Sequence, residues 1–215
     1  QQGLFNDVPA LIGYNSDEGL SFVWDPDVNK FVNGIKKRYG PFAERLLDAY
    51  PVAKNSIPRS ARNLVRDVAF GWHTWSWAKL QTQYGNAPVY LYYFDHHPKR
   101  KQGEKDEDHG SAHGHEIAYM FKNLNKSDPN ITQDDLKMSE AMATYWTNFA
   151  KNGHPNNDTL PNWPAFDNGK STTMYFQEQP KVGPVPDKDL LNVLDSYFKW
   201  RRTPAGEKWA NNVAN

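Results

Sequence analysis

Two segments of the sequence carry residues that could perform acid–base chemistry, and they are far apart in the chain. Residues 15–19 contain two adjacent carboxylic acids, Asp17 and Glu18, and residues 110–121 contain His113. A carboxylate that accepts a hydrogen bond from one ring nitrogen of a histidine leaves the other nitrogen to act as a general base. The pattern therefore predicts a histidine and an acid that orients it, but neither segment offers a nucleophile.

Each of these segments follows an apolar run that is typical of a buried strand. Residues 8–13 lead to Glu18, and residues 88–94 lead towards His113. Open α/β sheets carry their chemistry on loops that follow the carboxyl ends of parallel strands. We therefore expect an α/β fold with a mostly parallel central sheet, in which the two loops meet at one end of the sheet.

The remaining periodicity predicts the helices that must hold these strands in place. Thr132, with Asp135 three residues later, and Gly153 mark the two ends of one amphipathic helix. After Arg202 the sequence is typical of a polar, frayed tail or a tag remnant. The predicted elements are strands at 9–13, 88–95 and 172–177, and helical segments at 25–50 with a break at Gly40, at 59–84, at 132–152 and from Pro186 onwards.

The composition excludes several classes of function. Lysine plus arginine and aspartate plus glutamate each number 25, so the formal net charge is zero and no basic stripe predicts a nucleic-acid partner. No apolar run approaches the ~20 residues of a membrane span. Cysteine is absent, which removes disulfides, cysteine nucleophiles and thiolate metal sites.

Five segments carry distinctive motifs: residues 8–13 with 17–19, 89–96, 113–121, which read His-Gly-x-Glu-x-x-Tyr-x-Phe, 145–156 and 163–166. Together they resemble the C-terminal portion of a type-B carboxylesterase, a family with the α/β-hydrolase fold. In that fold the nucleophilic serine comes earlier in the chain, on a Gly-x-Ser-x-Gly elbow. The sequence contains no Gly-x-Ser-x-Gly and no His-Gly-Gly oxyanion segment.

The resemblance implies a serine carboxylic-ester hydrolase that works through an acyl-enzyme. His113 would be the general base, and Glu18 rather than its neighbour Asp17 would be the orienting acid. The serine, the oxyanion hole and the strands that complete the sheet would lie on a missing N-terminal segment of the same protein, so that residues 1–215 form the C-terminal portion of one catalytic domain. The expected substrate is a small-molecule ester, and no cofactor or metal is expected. A secreted or periplasmic location is favoured, with any signal on the missing segment.

The resemblance also implies residues that line the substrate pocket. Leu20, Ser21 and Phe22 follow the acid directly, and His115 lies beside the catalytic histidine. Ser21 and His115 stand where cholinesterases carry aromatic residues, which argues against choline esters as substrates.

Three structural expectations accompany this interpretation. Asp67, His96 and Glu116 are expected to form one buried polar network that supports the catalytic loop, because buried charges need partners. Because the predicted strands are few, the apolar faces of helices at 64–75 and 136–149 are expected to lack enough sheet to cover them. Residues 97–110, which are polar and highly charged, are expected to form a solvated loop.

Two alternatives belong to other classes of function. The first is a catalytically inactive, esterase-like binding or adhesion module, which only the region of the nucleophile would distinguish from an enzyme. The second is a histidine-rich metal-binding protein, because five of the seven histidines lie between His96 and His115. Gly110 and Gly114 interrupt that cluster, so it does not have the helical His-x-x-x-His spacing of a zinc peptidase.

Overall fold

A four-stranded sheet forms the centre of the protein. The computed structural model describes residues 4–23, 27–51, 57–97, 103 and 106–213. The strands lie in the order β1 (Ala10–Asn15), β2 (Val89–Phe94), β3 (Thr172–Phe176) and β4 (Pro180–Pro184). The first three strands are parallel, and β4 returns antiparallel to β3. The mostly parallel sheet was predicted, whereas β4 was not, because its two prolines and glycine are residues that strands disfavour.

Helices flank this sheet, and most of them fall in the predicted segments. The predicted helix at 59–84 is continuous but divided by one π-helical segment, Asp67–Gly71. No helix within the described ranges has both the length and the apolar character that a bilayer span requires. The helices are α1 (Val28–Tyr39), α2 (Ala43–Ala49), α3 (Ile57–Arg66), α4 (Trp72–Tyr84), α5 (His115–Met120), α6 (Gln133–Asn152), α7 (Lys188–Arg201) and α8 (Pro204–Val213).

The chain after Arg202 corrects the prediction of a frayed tail, because it forms α8. Its apolar anchor is Trp209, whose ring lies 5.5 Å from that of Trp200 between centroids. The guanidinium of Arg201 lies 5.6 Å from the centroid of Trp209. A single aromatic side chain in a polar segment is a weak sequence signal, but Trp209 packs against α7 and joins the helix to the rest of the fold.

The alternation of β2 separates two apolar clusters, one on each face of the sheet. Val89 and Leu91 point to the face covered by α1, α2, α4 and α7. Tyr90, Tyr92 and Phe94 point to the opposite face, which α5 and α6 cover. All six residues of β2 are buried, so helices of this chain seal both faces of the strand.

The helix faces expected to be uncovered are buried by other parts of the same chain. Trp72 stacks on Phe198 of α7 with 4.0 Å between ring centroids. Met142 and Tyr145 of α6 are 0% exposed, and Tyr145 packs edge-on against Trp163. These faces are therefore not left open, because α7 and the loop that carries Trp163 supply the cover that the sheet alone does not provide.

The part of the described structure that is left uncovered is the outer edge of β1. β1 is the edge strand of the described sheet and pairs with β2 along one side only. Its first four residues are only partly buried, in contrast to the fully buried β2. An edge strand presents unpaired backbone groups that can accept a further strand.

Candidate active site

The two chemical segments meet because β1 and β2 end side by side. Asn15 at the end of β1 is in register with Phe94 at the end of β2, and the N–H of Ser16 donates to the carbonyl of Phe94 at 2.9 Å. A short 3-10 turn, Glu18–Ser21, follows β1, and the loop after β2 leads into α5. The carboxyl ends of parallel strands thus bring the acid and the histidine together, as the sequence predicts.

His113 and Glu18 form a direct hydrogen bond. His113 Nδ1 lies 2.6 Å from Glu18 Oε2, and the other carboxylate oxygen, Oε1, accepts from the backbone N–H of Asn15 at 2.8 Å. The side chain of Glu18 is 5% exposed, whereas that of His113 is 52% exposed. An acid held at Nδ1 fixes the tautomer in which Nε2 is unprotonated and free to accept a proton. This geometry suits a general base that faces the open side of the site.

The environment of Glu18 raises its pKa above the usual value. Burial is the main cause, and the negative charge of Glu116 acts in the same direction. Hydrogen bonds from the backbone of Asn15 and from His113 act in the opposite direction without cancelling the rise. Keeping Glu18 ionised therefore opposes folding to some extent, although the same carboxylate accepts the hydrogen bond of His113.

Asp17, the neighbouring acid, is engaged elsewhere. Its Oδ1 accepts from Arg62 Nε at 3.0 Å and its Oδ2 accepts from the N–H of Gly110 at 3.1 Å. The same guanidinium reaches Asp108 Oδ2 at 2.8 Å. Asp17 is 0% exposed, so this pairing satisfies a fully buried charge. Asp17 joins the loop of His113 to α3, while Glu18 contacts His113 itself.

Gly19, directly after the acid, lies against α3 too closely for any other residue. A Cβ at this position would lie 2.2 Å from the carbonyl oxygen of Arg62. The close approach explains why a glycine follows Glu18, and it places the 3-10 turn directly on the helix that binds Asp17.

Residues 110–112, which precede His113, are held by the residues at the end of β1. This contact was not predicted, although residues 15–17 belong to the acid motif. The bonds run from Gly110 N to Asp17 Oδ2 (3.1 Å), from Ser111 N to Ser16 Oγ (2.8 Å), from Asp17 N to Ser111 O (2.9 Å) and from Asn15 Nδ2 to Ala112 O (2.7 Å). The two loops are therefore joined at four successive points.

Two phenylalanines flank the imidazole of His113. The centroid of Phe22 lies 5.7 Å from that of His113, and the centroid of Phe70 lies 5.1 Å from it. The two phenylalanine rings stack on each other with 6.1 Å between centroids. Phe22 was predicted to line the pocket. Phe70 was not, because its position in the π-helical segment cannot be read from helical periodicity.

A cleft lies beside this aromatic pair, between α1, α3, α7 and α8. Its volume is about 1070 Å³, and Phe22 is one of its lining residues. The described lining of this cleft does not include Leu20, Ser21 or His115. His115 is exposed, and its Nδ1 accepts from the N–H of Ala112 at 3.3 Å. Of the four predicted pocket residues, Phe22 is therefore the one that borders both the cleft and His113.

Asp67, His96 and Glu116 do not form the single network that was predicted. Asp67 belongs to the face covered by α3, α4 and α7, whereas His96 contacts α6 on the opposite face, so the sheet separates them. Their partners are Arg66 Nε for Asp67 (2.7 Å), Asp135 Oδ1 for His96 (3.0 Å) and Asn15 Nδ2 for Glu116 (2.5 Å). Each of the three residues therefore supports a different region, and Glu116 alone lies next to the dyad.

The histidines between 96 and 115 turn to separate partners. Within the described ranges, no three or more His, Cys, Asp or Glu side chains converge on a common point that could hold a metal ion. Residues 98–102, 104 and 105, in the charged loop, lie outside the described residues. The contacts are His96 with Asp135 (3.0 Å), His97 with Asp95 (3.5 Å), His109 with Asp108 (3.9 Å) and His113 with Glu18 (2.6 Å).

Comparison with known proteins gives matches over most of the chain. The model of the carboxylesterase family matches residues 1–193. Para-nitrobenzyl esterase of Bacillus subtilis (strain 168) is 28% identical over 202 residues, which is 90% of this chain and 39% of that relative. Human neuroligin-2 is 28% identical over 225 residues, which is 85% of this chain and 26% of that relative. A solved PNB esterase structure superposes with a TM-score of 0.67 at 27% identity, covering 86% of this chain and 38% of that one.

Proposed function

We propose, from the premise that this chain belongs to the carboxylesterase family, that it carries the general base and the orienting acid of a serine carboxylic-ester hydrolase. The mostly parallel sheet with helices on both faces is the predicted α/β-hydrolase architecture. The observation that carries the proposal is the 2.6 Å contact between His113 Nδ1 and Glu18 Oε2. Among the described residues none forms a hydrogen bond with Nε2 of His113, so this nitrogen can accept a proton from a group that enters the site.

The dyad would act in both halves of an acyl-transfer cycle. Nε2 of His113 accepts the proton of the serine hydroxyl while the serine oxygen bonds to the ester carbonyl carbon. When the tetrahedral intermediate collapses, the bond to the alcohol oxygen breaks and Nε2 returns the proton to that oxygen. Water then repeats the sequence on the acyl-enzyme and releases the acid. Throughout, Glu18 holds Nδ1–H and stabilises the imidazolium that forms twice per turnover.

In this proposal the serine and the oxyanion hole lie on an N-terminal segment of the same protein. The chain spans 39% of the para-nitrobenzyl esterase that it matches, and β1 has an open edge beside the dyad. Asn15 Oδ1 is buried next to that edge and receives no hydrogen bond from any described residue. Large apolar side chains around the site are also exposed, with Phe22 at 50%, Ile117 at 50% and Phe121 at 75%. A strand and turn placed along β1 would cover these groups.

An inactive, esterase-like binding module is the second candidate. The similarity to human neuroligin-2 is the observation that favours it, because the family is not confined to proteins named as esterases. An esterase has a reactive serine and a binding module does not. A phosphonate that reacts only with activated serines therefore distinguishes the two candidates.

The test compares two neighbouring acids in the full-length protein. Glu18→Gln should lower kcat on a nitrophenyl ester by about 10³- to 10⁴-fold, the size of effect seen when the acid of such a triad is neutralised. Asp17→Asn is the matched control, because it neutralises an equally buried carboxylate that bonds to Arg62, and its main effect should be on Tm. The opposite ranking would assign the orienting role to Asp17.

The wild-type protein decides between the candidates. Stoichiometric phosphonate labelling, together with activity that survives prolonged chelation, is expected of the esterase. If the full-length protein hydrolyses no ester and takes up no phosphonate, the binding module is the better description. If chelation abolishes activity and zinc restores it, the histidine-rich metal site is favoured.

A further inference from the structure

We propose that Asn15 is a positioning residue of this site, which holds the loop carrying His113 against the buried acid. The proposal rests on the proposed function, since it concerns the same dyad. Asn15 does not touch the reacting atoms, so its effect would pass through Glu18 and through the backbone before His113.

Asn15 is the last residue of β1 and is 0% exposed. Its backbone N–H donates to Glu18 Oε1 at 2.8 Å. Its side-chain amide donates to the carbonyl of Ala112 at 2.7 Å and to Glu116 Oε2 at 2.5 Å. A carbonyl and a carboxylate only accept hydrogen bonds, so the nitrogen of the amide must face both of them. The orientation of the Asn15 side chain is therefore fixed by its partners.

These bonds place both members of the dyad relative to one residue. Holding Oε1 of Glu18 leaves the other oxygen, Oε2, directed at His113 Nδ1. Holding the carbonyl of Ala112 fixes the peptide unit that immediately precedes His113. On the other side of His113 is Gly114, in a left-handed conformation with φ of +80°. With a permissive glycine after His113, the bond to Ala112 is the nearer restraint on the position of the imidazole.

The Asn15 side chain also lies between two carboxylates. Glu116 and Glu18 are close enough that the charge of Glu116 contributes to the raised pKa of Glu18. Asn15 gives a side-chain donor to one carboxylate and a backbone donor to the other. Removing the side chain would leave Glu116 without this donor, and its carboxylate would be free to move relative to Glu18.

The test is Asn15→Ala in the full-length protein. The variant keeps the backbone N–H that holds Glu18, so it removes only the bonds to Ala112 and Glu116. We expect kcat per phosphonate-titrated site to fall by about 10- to 100-fold, the range that a misplacement near 1 Å produces. We expect KM to change less than about twofold, because the pocket walls are untouched and the loss is confined to the chemical step.

Asn148→Ala provides the matched control. Asn148 lies on α6, and its Nδ2 donates to the carbonyl of Pro155 at 3.1 Å, which is the same amide-to-carbonyl bond outside the site. Both variants should lose some stability, but only Asn15→Ala should lose kcat. Equal kcat in the two variants, each normalised to titrated sites, would overturn the proposal and leave Asn15 with a role in stability alone.

A spectroscopic readout separates this proposal from the proposed function. The proton on His113 Nδ1, in its short bond to Glu18, should give a far-downfield proton NMR signal, and this signal should not require the serine. The signal should shift or broaden in Asn15→Ala and remain unchanged in Asn148→Ala. An inactive wild-type protein that shows this shift would contradict the esterase and support the positioning role. An unchanged signal together with unchanged kcat would contradict the positioning role.

A second variant is available if Asn15→Ala does not fold. Asn15→Asp keeps the volume of the side chain but replaces its two donors with an acceptor, next to Glu116 and the carbonyl of Ala112. The same loss of kcat is expected. Adding Glu116→Gln gives the introduced carboxylate a donor to bond with, and the double variant should recover part of that loss. Wild-type kcat in Asn15→Asp would overturn the proposal.

Discussion

Two histidine–carboxylate pairs lie on neighbouring parts of the molecule and differ in what the histidine can do. His113 Nδ1 lies 2.6 Å from Glu18, and His96 Nε2 lies 3.0 Å from Asp135. The other nitrogen of His96 contacts the carbonyl of Gln177, and its side chain is only 11% exposed. His113 is half exposed and has no described partner at its second nitrogen. The distance to the acid is similar in both pairs, so the free second nitrogen is what makes one of them suited to chemistry.

The acids of the two pairs, Asp135 and Glu18, also differ in the direction in which their surroundings shift the pKa. Burial opposes the ionisation of Asp135, but hydrogen bonds from Thr132 and Tyr119 outweigh it and lower its pKa to about 2. Burial raises the pKa of Glu18, and its hydrogen bonds do not compensate. Asp135 therefore stabilises the fold in its charged form, whereas Glu18 is held charged at some expense to the fold. Ionisable groups whose charge is held at the expense of the fold are common at functional sites.

The largest expected effect comes from removing each histidine in turn. In the full-length protein, His113→Ala should lower kcat on a nitrophenyl ester by about 10⁴- to 10⁶-fold, because it removes the only proposed base. His96→Ala should lower Tm and leave kcat within about threefold, because the lost contacts join α6 to the strand end. Steady-state kinetics and thermal unfolding of both variants measure this. Comparable kcat losses in the two would erase the distinction between the pairs.

This comparison also shows how far the sequence can predict the site. Glu18 and His113 could be found because each follows an apolar strand, and parallel strands bring their ends together. The pattern alone did not separate Glu18 from Asp17. The resemblance to the family favoured Glu18. The structure adds a physical reason, because the carboxylate of Asp17 is bonded to Arg62 on α3.

The predictions that were wrong or missing concern residues that only the tertiary structure brings together. His96, placed in a network with Asp67 and Glu116, instead contacts Asp135, which the sequence identified only as a helix cap. A single residue can cap a helix and accept from a histidine on another element, and local patterns show only the first role. Asn15 was overlooked for a similar reason, because its bonds to residues 112 and 116 cross almost half of the chain.

A smaller effect, on stability, is expected when the acid of the His96–Asp135 pair is changed. Asp135→Asn should lower the free energy of unfolding by about 1–3 kcal/mol near neutral pH, because one oxygen that accepts hydrogen bonds becomes a donor facing Thr132 or Tyr119. Denaturant unfolding of the full-length protein measures this, and kcat should be nearly unchanged. Lys137→Ala is the control, since it removes an exposed ion pair with Asp134 on the same helix.

The stability difference between wild type and Asp135→Asn should depend on pH, because the pKa of Asp135 is lowered in the folded protein. The unfolded chain binds a proton at Asp135 near pH 3.8 and the folded chain only near pH 2. Between those values the unfolded state holds more protons, so the stability that Asp135 contributes is present above pH 3.8 and is lost as the pH falls towards 2. Wild type and Asp135→Asn should therefore converge in acid. A difference that stays constant down to pH 2 would contradict the assignment.

The smallest expected effect is a change of stability with the opposite sign, and it concerns the pair of His113 and Glu18. The pKa of Glu18 is raised from 4.5 in the folded protein, so the folded state holds its proton to higher pH than the unfolded state does. The stability linked to this group is present below pH 4.5 and is lost as the pH rises through the folded value. Glu18→Gln, which carries no charge, should therefore raise Tm by about 1–2 °C near neutral pH, and the gain should vanish in acid.

The same substitution shows why a more stable site is not an active one. The new amide can turn its oxygen to the N–H of Asn15 and its NH₂ to His113, so every group keeps a partner. His113 then accepts at Nδ1 and carries its proton on Nε2, which is the tautomer that cannot act as a base. Thermal unfolding from pH 4 to pH 8, paired with kcat, follows both consequences. A lower Tm for Glu18→Gln near neutral pH would show that the charge of Glu18 supports the fold as that of Asp135 does, and the contrast between the two pairs would then rest on the free nitrogen of His113 alone.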